Sequence, residues 1–289
     1  MAEYGNRTRR GADAQAGRDT ARGREDRNAA VEASLLSGTD GAAATAQTTR
    51  QALEVLLADA PAIAALLPPG YLATVERYVA LLLVANARLN LTRVVEPQAI
   101  ARTHLLDALA ALPLLDEWAA ARAVDLGSGG GVPAIPLALA RPEIAWTLVD
   151  SVGKKASALR EMVEALGLAG VTVVAERAEE VGRDPRHRER YDLVTARAFA
   201  ALPVLAELSM PLLHVGGRLL AWKGPLRDQD EELRRGRTAL GEVGGGRPRM
   251  VESGVSALGG HTFVVAPKER PTPARFPRRP GEPARRPLG

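Results

Sequence analysis

The stretch Ala123-Val124-Asp125-Leu126-Gly127-Ser128-Gly129-Gly130-Gly131-Val132 reads as a short buried strand that runs straight into a glycine turn. The next apolar run, Trp146-Thr147-Leu148-Val149, closes on a carboxylate, Asp150. A strand, a tight glycine loop, a helix and an acidic residue about 20 positions on make the fingerprint of a nucleotide-type cofactor site. Glycines let the backbone turn sharply and approach a ligand closely, and the carboxylate accepts hydrogen bonds from ribose hydroxyls. Which cofactor the loop takes is open at this point.

Outward from this turn, strands and helices alternate. Apolar patterning predicts strands over 123–126, 145–149, 171–175, 192–196 and 218–222, with helices over 133–140, 154–166 and 202–213. The strand runs are short and unalternating, as in parallel strands covered on both faces. The prediction is an α/β, doubly wound sheet. A polar helix over 227–240 and two last strands over 250–255 and 262–266 finish it. Upstream, Leu53, Leu56, Leu57, then Leu72, Val75, Val79, Leu82 and Leu83 recur at three- and four-residue steps over 51–115. That is a helical subdomain, punctuated by Pro61, Pro68, Pro69 and Gly70 and broken over 86–92 before helix resumes over 96–112. The domain reading is a disordered tail over 1–47, a helical cap over 48–118, the cofactor domain over 119–268 and a basic Pro/Arg-rich tail over 269–289. The first 47 residues carry too few large apolar side chains to offset their ordering entropy. The last stretch, with proline recurring between arginines, reads as extended and unpacked.

Composition sets limits. Cysteine is absent, which excludes disulfides, Cys-based zinc sites and thiolate nucleophiles. No metal site is expected. The longest apolar run, residues 79–85, falls well short of the ~20 residues of a membrane span. Residues 1–27 are Arg-rich and lack the apolar segment of a signal peptide. The expectation is a soluble, cytoplasmic protein with no membrane or DNA partner, a monomer being the simplest oligomeric state. Residues 268–289 hold seven Lys/Arg against two acids, whereas the whole chain is only +4. The basic character therefore lives in the C-terminal stretch, which suits a polyanion.

A dinucleotide site requires G-x-G-x-x-G. Counted from Gly127, the third position is Val132, and counted from Gly129 it is Ala134, displaced from the strand end. The run Gly127, Gly129, Gly131 instead looks like the G-x-G-x-G loop of S-adenosylmethionine-dependent methyltransferases, with Asp150 holding the ribose. Ala178 and Glu179 follow the third strand, where an N–H and a carboxylate would read an adenine edge; a solvated Glu is the alternative. The fourth strand ends in Thr195-Ala196-Arg197-Ala198-Phe199, and open α/β sheets bind ligands beyond the carboxyl ends of their strands. Arg197 thus faces the crevice, unless it is a surface Arg at a helix start. Methyltransferases acting on exocyclic amines carry (Asn/Asp)-Pro-Pro-aromatic at that strand end, and pyrimidine C5 enzymes need a cysteine. This chain has neither. An acceptor with a free lone pair and no proton, such as guanine N7, suits it, with the protein supplying positioning and electrostatics. No residue is expected to act as a catalytic acid or base. Lys223 is a candidate contact for an RNA phosphate or guanine O6, or a solvated lysine. His104 is a candidate substrate contact or a satisfied, partly buried histidine. Asn90 is read as capping the turn before Thr92.

Residues 86–92, 102–109, 124–139, 148–160, 196–199 and 220–224, matching in order, resemble the RsmG (GidB) family of bacterial 16S ribosomal RNA methyltransferases. These modify guanine N7 in the decoding region of the small subunit. The similarity runs from about residue 72 to the end, including residues 271–278, which are similar to the basic tail of some members. The resemblance implies a class I S-adenosylmethionine-dependent methyltransferase (Rossmann-like) sheet with an N-terminal helical cap. It implies S-adenosyl-L-methionine as cofactor, 16S rRNA or the small ribosomal subunit as partner, and cofactor contacts at Gly127, Val132, Ala178, Glu179 and Arg197. Two departures stand out: Ala134 occupies a position where members often have glycine, and the long N-terminal extension has no counterpart.

Overall fold

The computed structural model describes residues 26, 28–33, 40–224 and 230–289. Five apolar runs form the strands β1 (Arg122–Leu126), β2 (Ala145–Val149), β3 (Val171–Val174), β4 (Tyr191–Arg197) and β5 (Leu213–Lys223). With β6 (Arg249–Glu252) and β7 (Thr262–Pro267) they make one sheet in the order β3-β2-β1-β4-β5-β7-β6. β1 to β5 pair in parallel, while β7 runs antiparallel between β5 and β6. Strand order reverses between β1 and β4, so a crevice opens beyond their carboxyl ends. Short apolar runs carry no mark of direction, which is why the antiparallel edge was not readable from them.

Both faces are covered. Helices Ala134–Ala140 and Gly153–Ala165 pack on one face together with the cap, and helices Leu202–Ser209 and Glu231–Val243 pack on the other. The cap's long helices, Asp40–Ala58 and Tyr71–Leu89, bury Leu53, Leu57, Tyr71, Val75, Tyr78 and Leu82 in the core cluster on the first face. Their polar tips find partners in the core: the Tyr71 hydroxyl donates to the Pro136 carbonyl at 3.3 Å and the Tyr78 hydroxyl to the Gly130 carbonyl at 2.9 Å. A buried phenol needs such an acceptor. No helix among the described residues is long and apolar enough to cross a membrane.

Several expectations are corrected. Helix begins at Asp40, ahead of the expected start of the cap, and residues 26 and 28–33 are helical as well. Val31 packs on the core and Glu32 pairs with Arg77. Ala-rich sequence has high helix propensity, and a few such anchors suffice to seat it. The rest of the expected N-terminal tail lies outside the described residues. The break expected over 86–92 starts late: the helix continues to Leu89 and stops at Asn90, whose φ is 50°. Asn90 ends the helix through its left-handed backbone, and the turn is stapled by Asn86 Oδ1 accepting the Thr92 N–H at 2.8 Å. The helix expected over 202–213 ends at Ser209 because Leu213 opens β5. The polar helix covers Glu231–Val243, and residues 227–229 of the expected span lie outside the described residues.

The largest correction concerns residues 269–289, which are packed. Thr272, Phe276 and Pro283 are buried, and Lys268 is fully enclosed, donating to the Met210 carbonyl and the Thr272 hydroxyl. Arg278 forks onto the buried carboxylate of Glu207, with Nε–Oε1 at 2.9 Å and Nη2–Oε2 at 2.5 Å. Arg188 donates to the carbonyls of Thr272 and Phe276 at 2.9 and 2.8 Å. The arginines counted as solvated charge are in part structural donors that satisfy an extended backbone.

Candidate active site

β1 leaves the sheet at Gly127, and the loop takes left-handed backbone at Gly127, Gly129 and Gly131, with φ of 72°, 52° and 93°. A Cβ at Gly127 would lie 2.3 Å from Phe199 Cδ2, and one at Gly131 would lie 2.4 Å from Ile135 Cδ1. Conformation and space both demand glycine here. The Gly127 and Ser128 N–H groups donate to the Val149 carbonyl at 2.9 and 3.1 Å, so the turn is sewn to the end of β2. Asp150 adds two stitches: its Oδ2 accepts the Gly129 N–H at 2.9 Å and its Oδ1 the Val152 N–H at 2.8 Å. From the cap, the Tyr78 hydroxyl holds the Gly130 carbonyl.

Beside this turn lies a cavity of about 340 Å³, lined by Gly127, Asp150, Ala178, Glu179, Val204 and Pro283 among others. That volume falls in the roughly 300–1,000 Å³ range of small-molecule sites. A nucleoside cofactor needs a backbone cradle free of side chains, an acceptor for ribose hydroxyls and an apolar slot for its base. The glycine turn supplies the first, and the lone pairs of Asp150 not used by N–H groups supply the second. Val149, Ala178, Val204 and Leu208 supply the third. The residues fit S-adenosylmethionine. Glu179 is buried and already engaged: its Oε1 accepts Arg177 Nη2 at 3.0 Å and the Gly281 N–H at 2.7 Å. Burial pushes its carboxyl up, but the Arg177 guanidinium and the Gly281 N–H outweigh this and hold it below its ordinary value.

A second cavity of about 320 Å³ adjoins the first and shares Phe199 and Ala200 with it. Arg197, Lys223, Asp107, His261 and Trp222 line it. Ala198, at φ 51°, turns the chain sharply after β4. Arg197 Nε lies 3.3 Å from Asp107 Oδ2, and His261 Nδ1 lies 2.9 Å from Asp107 Oδ1. The Trp222 indole N–H donates to the Asp107 carbonyl at 2.9 Å. Burial raises the Asp107 carboxyl, against which Arg197 and His261 act. Burial also lowers the Arg197 guanidinium, with Asp107 opposing.

His104 stands behind Arg197 in a π-helical stretch, Ala101–Leu106, a widening often found at functional sites. Burial first, and then the charge of Arg197, push its ring down to about 4, so it is neutral near pH 7. A neutral ring accepts from Arg197 Nη1 at Nδ1, 3.4 Å away, and donates its Nε2–H to the Thr92 hydroxyl at 2.9 Å. Lys223 Nζ donates to the Ala200 carbonyl at 3.0 Å and to Glu232 Oε1 at 2.5 Å. Deeper still, burial pushes Asp125 up to about 6, against the hydrogen bond from Thr195 Oγ1 at 2.7 Å.

The expected residues thus fall into groups. Gly127, Asp150, Ala178 and Glu179 meet in the first cavity, and Gly129 joins them through Asp150. Gly131 is packed on Ile135 inside the turn, and Val132 packs against the core on that face. Arg197 and Lys223 line the second cavity. Lys223 is ion-paired there and is not a solvated lysine. His104 is buried, with its ring nitrogens hydrogen-bonded to Thr92 and Arg197. Asp107 and His261 stand outside every cofactor-site motif legible in the sequence. A carboxylate inside the apolar run Leu105-Leu106-Asp107-Ala108-Leu109 was the available signal for the first, since a buried charge needs a partner. Nothing local pointed to His261. Pro283 and Ala284 escape sequence reasoning because a Pro/Arg-rich segment carries the signature of unpacked chain.

The arrangement has relatives. A family model described as GidB, rRNA small subunit methyltransferase G, matches residues 71–250. A Deinococcus radiodurans protein named ribosomal RNA small subunit methyltransferase G is 48% identical over 219 residues, covering 73% of this chain and 83% of its own. Proteins of the same name from Roseiflexus sp. and Deinococcus deserti are 47% and 44% identical, covering 73% and 82% of this chain and 89% and 97% of theirs. With its glycine turn, Asp150 and Arg197 all inside the matched span, the chain belongs to the GidB family of small-subunit ribosomal RNA methyltransferases.

Proposed function

We propose that this chain transfers a methyl group from S-adenosylmethionine to N7 of a guanine in the 16S rRNA of the small ribosomal subunit. The observation that carries the reading is the pair of cavities divided by Phe199 and Ala200. One is built on the glycine turn and Asp150, the other on Arg197 and Lys223. The sheet is that of a class I, Rossmann-like methyltransferase carrying an N-terminal helical cap.

When bound, the cofactor supplies a methyl group on a positively charged sulfur. The chain's own residues then align the partners. The turn at Gly127 offers bare backbone, Asp150 accepts from ribose hydroxyls, and Ala178 with its apolar neighbours takes the adenine. In the second cavity, Arg197 and Lys223 present cations to an acceptor-rich guanine edge or a neighbouring phosphate. N7 has an in-plane lone pair and no proton to lose, so alignment and electrostatics suffice. The state of the nearby titratable groups agrees with this. His104 is neutral with both ring nitrogens engaged, and the Asp107 carboxylate is held between His261 and Arg197. Arg279, Arg285 and Arg286, exposed in the C-terminal segment, add charge suited to RNA.

Small-subunit RNA from cells lacking the protein is expected to lack one N7-methylguanine, mapped by reverse-transcription stops. Purified chain with S-adenosylmethionine should restore it. An unchanged methylation pattern overturns the proposal.

A further inference from the structure

The first cavity has a wall that lies outside the span shared with the family model, which ends at residue 250. Pro283 and Ala284 line it together with Asp150, Ala178 and Glu179, although more than a hundred residues separate the two groups in sequence. Their position is fixed on several sides. Arg278 is forked onto Glu207, Arg183 Nε donates to the Pro277 carbonyl at 2.8 Å, and the Gly281 N–H donates to Glu179 Oε1 at 2.7 Å. Gly281 takes a left-handed φ of 79°, which swings the chain from this anchor onto the cavity rim. Pro283 is buried, whereas Ala284 keeps an exposed edge.

We propose that Pro283 and Ala284 are cofactor-binding residues that close the nucleoside end of the S-adenosylmethionine site. Glu179 then serves as a positioning residue. Its carboxylate is shared between Arg177 and Gly281, so it seats the C-terminal wall and does not read the adenine edge alone. The chemistry of the wall suits this task. A proline ring and a methyl group line the cavity with Ala178, Val204 and Leu208 and add apolar surface suited to an aromatic base. The inference rests on the proposed cofactor and extends it to residues outside the family model.

Calorimetry with S-adenosylhomocysteine on the full chain and on its Ala284→Trp variant tests it. Ala284 is exposed on one side, so the indole can be accommodated without unfolding the chain, and unliganded melting is expected to match the parent. Dissociation constants should rise by about tenfold or more. Hydrogen exchange over residues 281–286 of the unmodified chain should slow when S-adenosylhomocysteine is added. A Glu179→Ala variant should bind more weakly and lose that protection. If A284W binds as tightly as the parent, or the segment's exchange is unmoved by ligand, the assignment is overturned while the cofactor reading stands. If the parent chain binds neither S-adenosylmethionine nor S-adenosylhomocysteine, both are overturned.

Discussion

Replacing Tyr78 by Phe isolates one link between the cap and the cofactor turn. Tyr78 is fully buried, and burial raises its hydroxyl above its ordinary value, so it is a permanent donor. Its partner is the Gly130 carbonyl, 2.9 Å away inside the core. The substitution keeps the ring and its packing but leaves that carbonyl without a partner, a cost of about 1–3 kcal/mol. If the cost falls on the turn, the binding-competent arrangement is depleted by the same free energy. At tenfold per 1.4 kcal/mol, affinity for S-adenosylhomocysteine then drops roughly 5- to 150-fold. Tyr71 supplies the control, because its hydroxyl meets the Pro136 carbonyl at 3.3 Å in the helix behind the turn. Tyr71→Phe should lose comparable stability in denaturant titrations yet bind within about twofold of the parent. Calorimetry on both variants decides the matter. Unchanged affinity in Tyr78→Phe, or equal weakening in both, would refute the claim that the cap shapes the turn.

Three further outcomes are expected. His104, with a folded pKa near 4 against an ordinary 6.5, binds fewer protons than the unfolded chain between those values, so it makes stability fall as pH drops. Asp125, near 6 against 3.8, does the reverse, because the folded chain binds more protons in its window. Asp125→Asn removes that compensation and should steepen the loss of stability from pH 6 to pH 4 by about 2 kcal/mol, measured from denaturation curves at each pH; an unaltered slope would count against it. Arg278→Ala strands the buried Glu207 carboxylate and should cost about 3 kcal/mol or more in denaturant unfolding. A loss below about 1 kcal/mol would mean that the pair anchors little. Asp107→Asn unpairs Arg197 in the second cavity only, so methyl transfer should fall by about tenfold or more while S-adenosylhomocysteine affinity holds within about twofold. Equal losses in both measurements would contradict the division of labour between the cavities.

Much of the sheet was legible because its rules are local. Glycine at 127 and 131 answers a backbone demand, φ of 72° and 93°, that L side chains rarely meet. Asp150 announces itself as a carboxylate closing an apolar strand. The second cavity was less legible, since its polar partners come from the cap, β4, β5 and the start of β7. Asp107 and His261 are 154 residues apart, and it takes the packing of the cap on the sheet to bring them within 2.9 Å. The C-terminal segment failed for another reason. Composition weighs proline and arginine as solvent-loving, yet Arg188 and Arg278 are spent on carbonyls and on Glu207, and Pro283 on a cavity wall. Averages over a window cannot register pairings made one residue at a time.

Those long-range pairings bear on what the functional unit is. Reading the chain as a cap followed by a cofactor domain suggests that the second could stand alone. The contacts argue otherwise. The cap supplies Tyr78 beneath the glycine turn, His104 behind Arg197 and Asp107 as the counter-ion of Arg197. Residues 119–268 alone would leave the Gly130 carbonyl and the Arg197 guanidinium to water, without the hydroxyl and the carboxylate that hold them in place. They would also lack Pro283 and Ala284, so the first cavity would open on the Glu179 side. Each cavity therefore depends on chain from outside the sheet: the cap completes the second and braces the first, and the C-terminal segment completes the first. The sheet fixes where strands end, while the flanking segments determine whether those ends form a site.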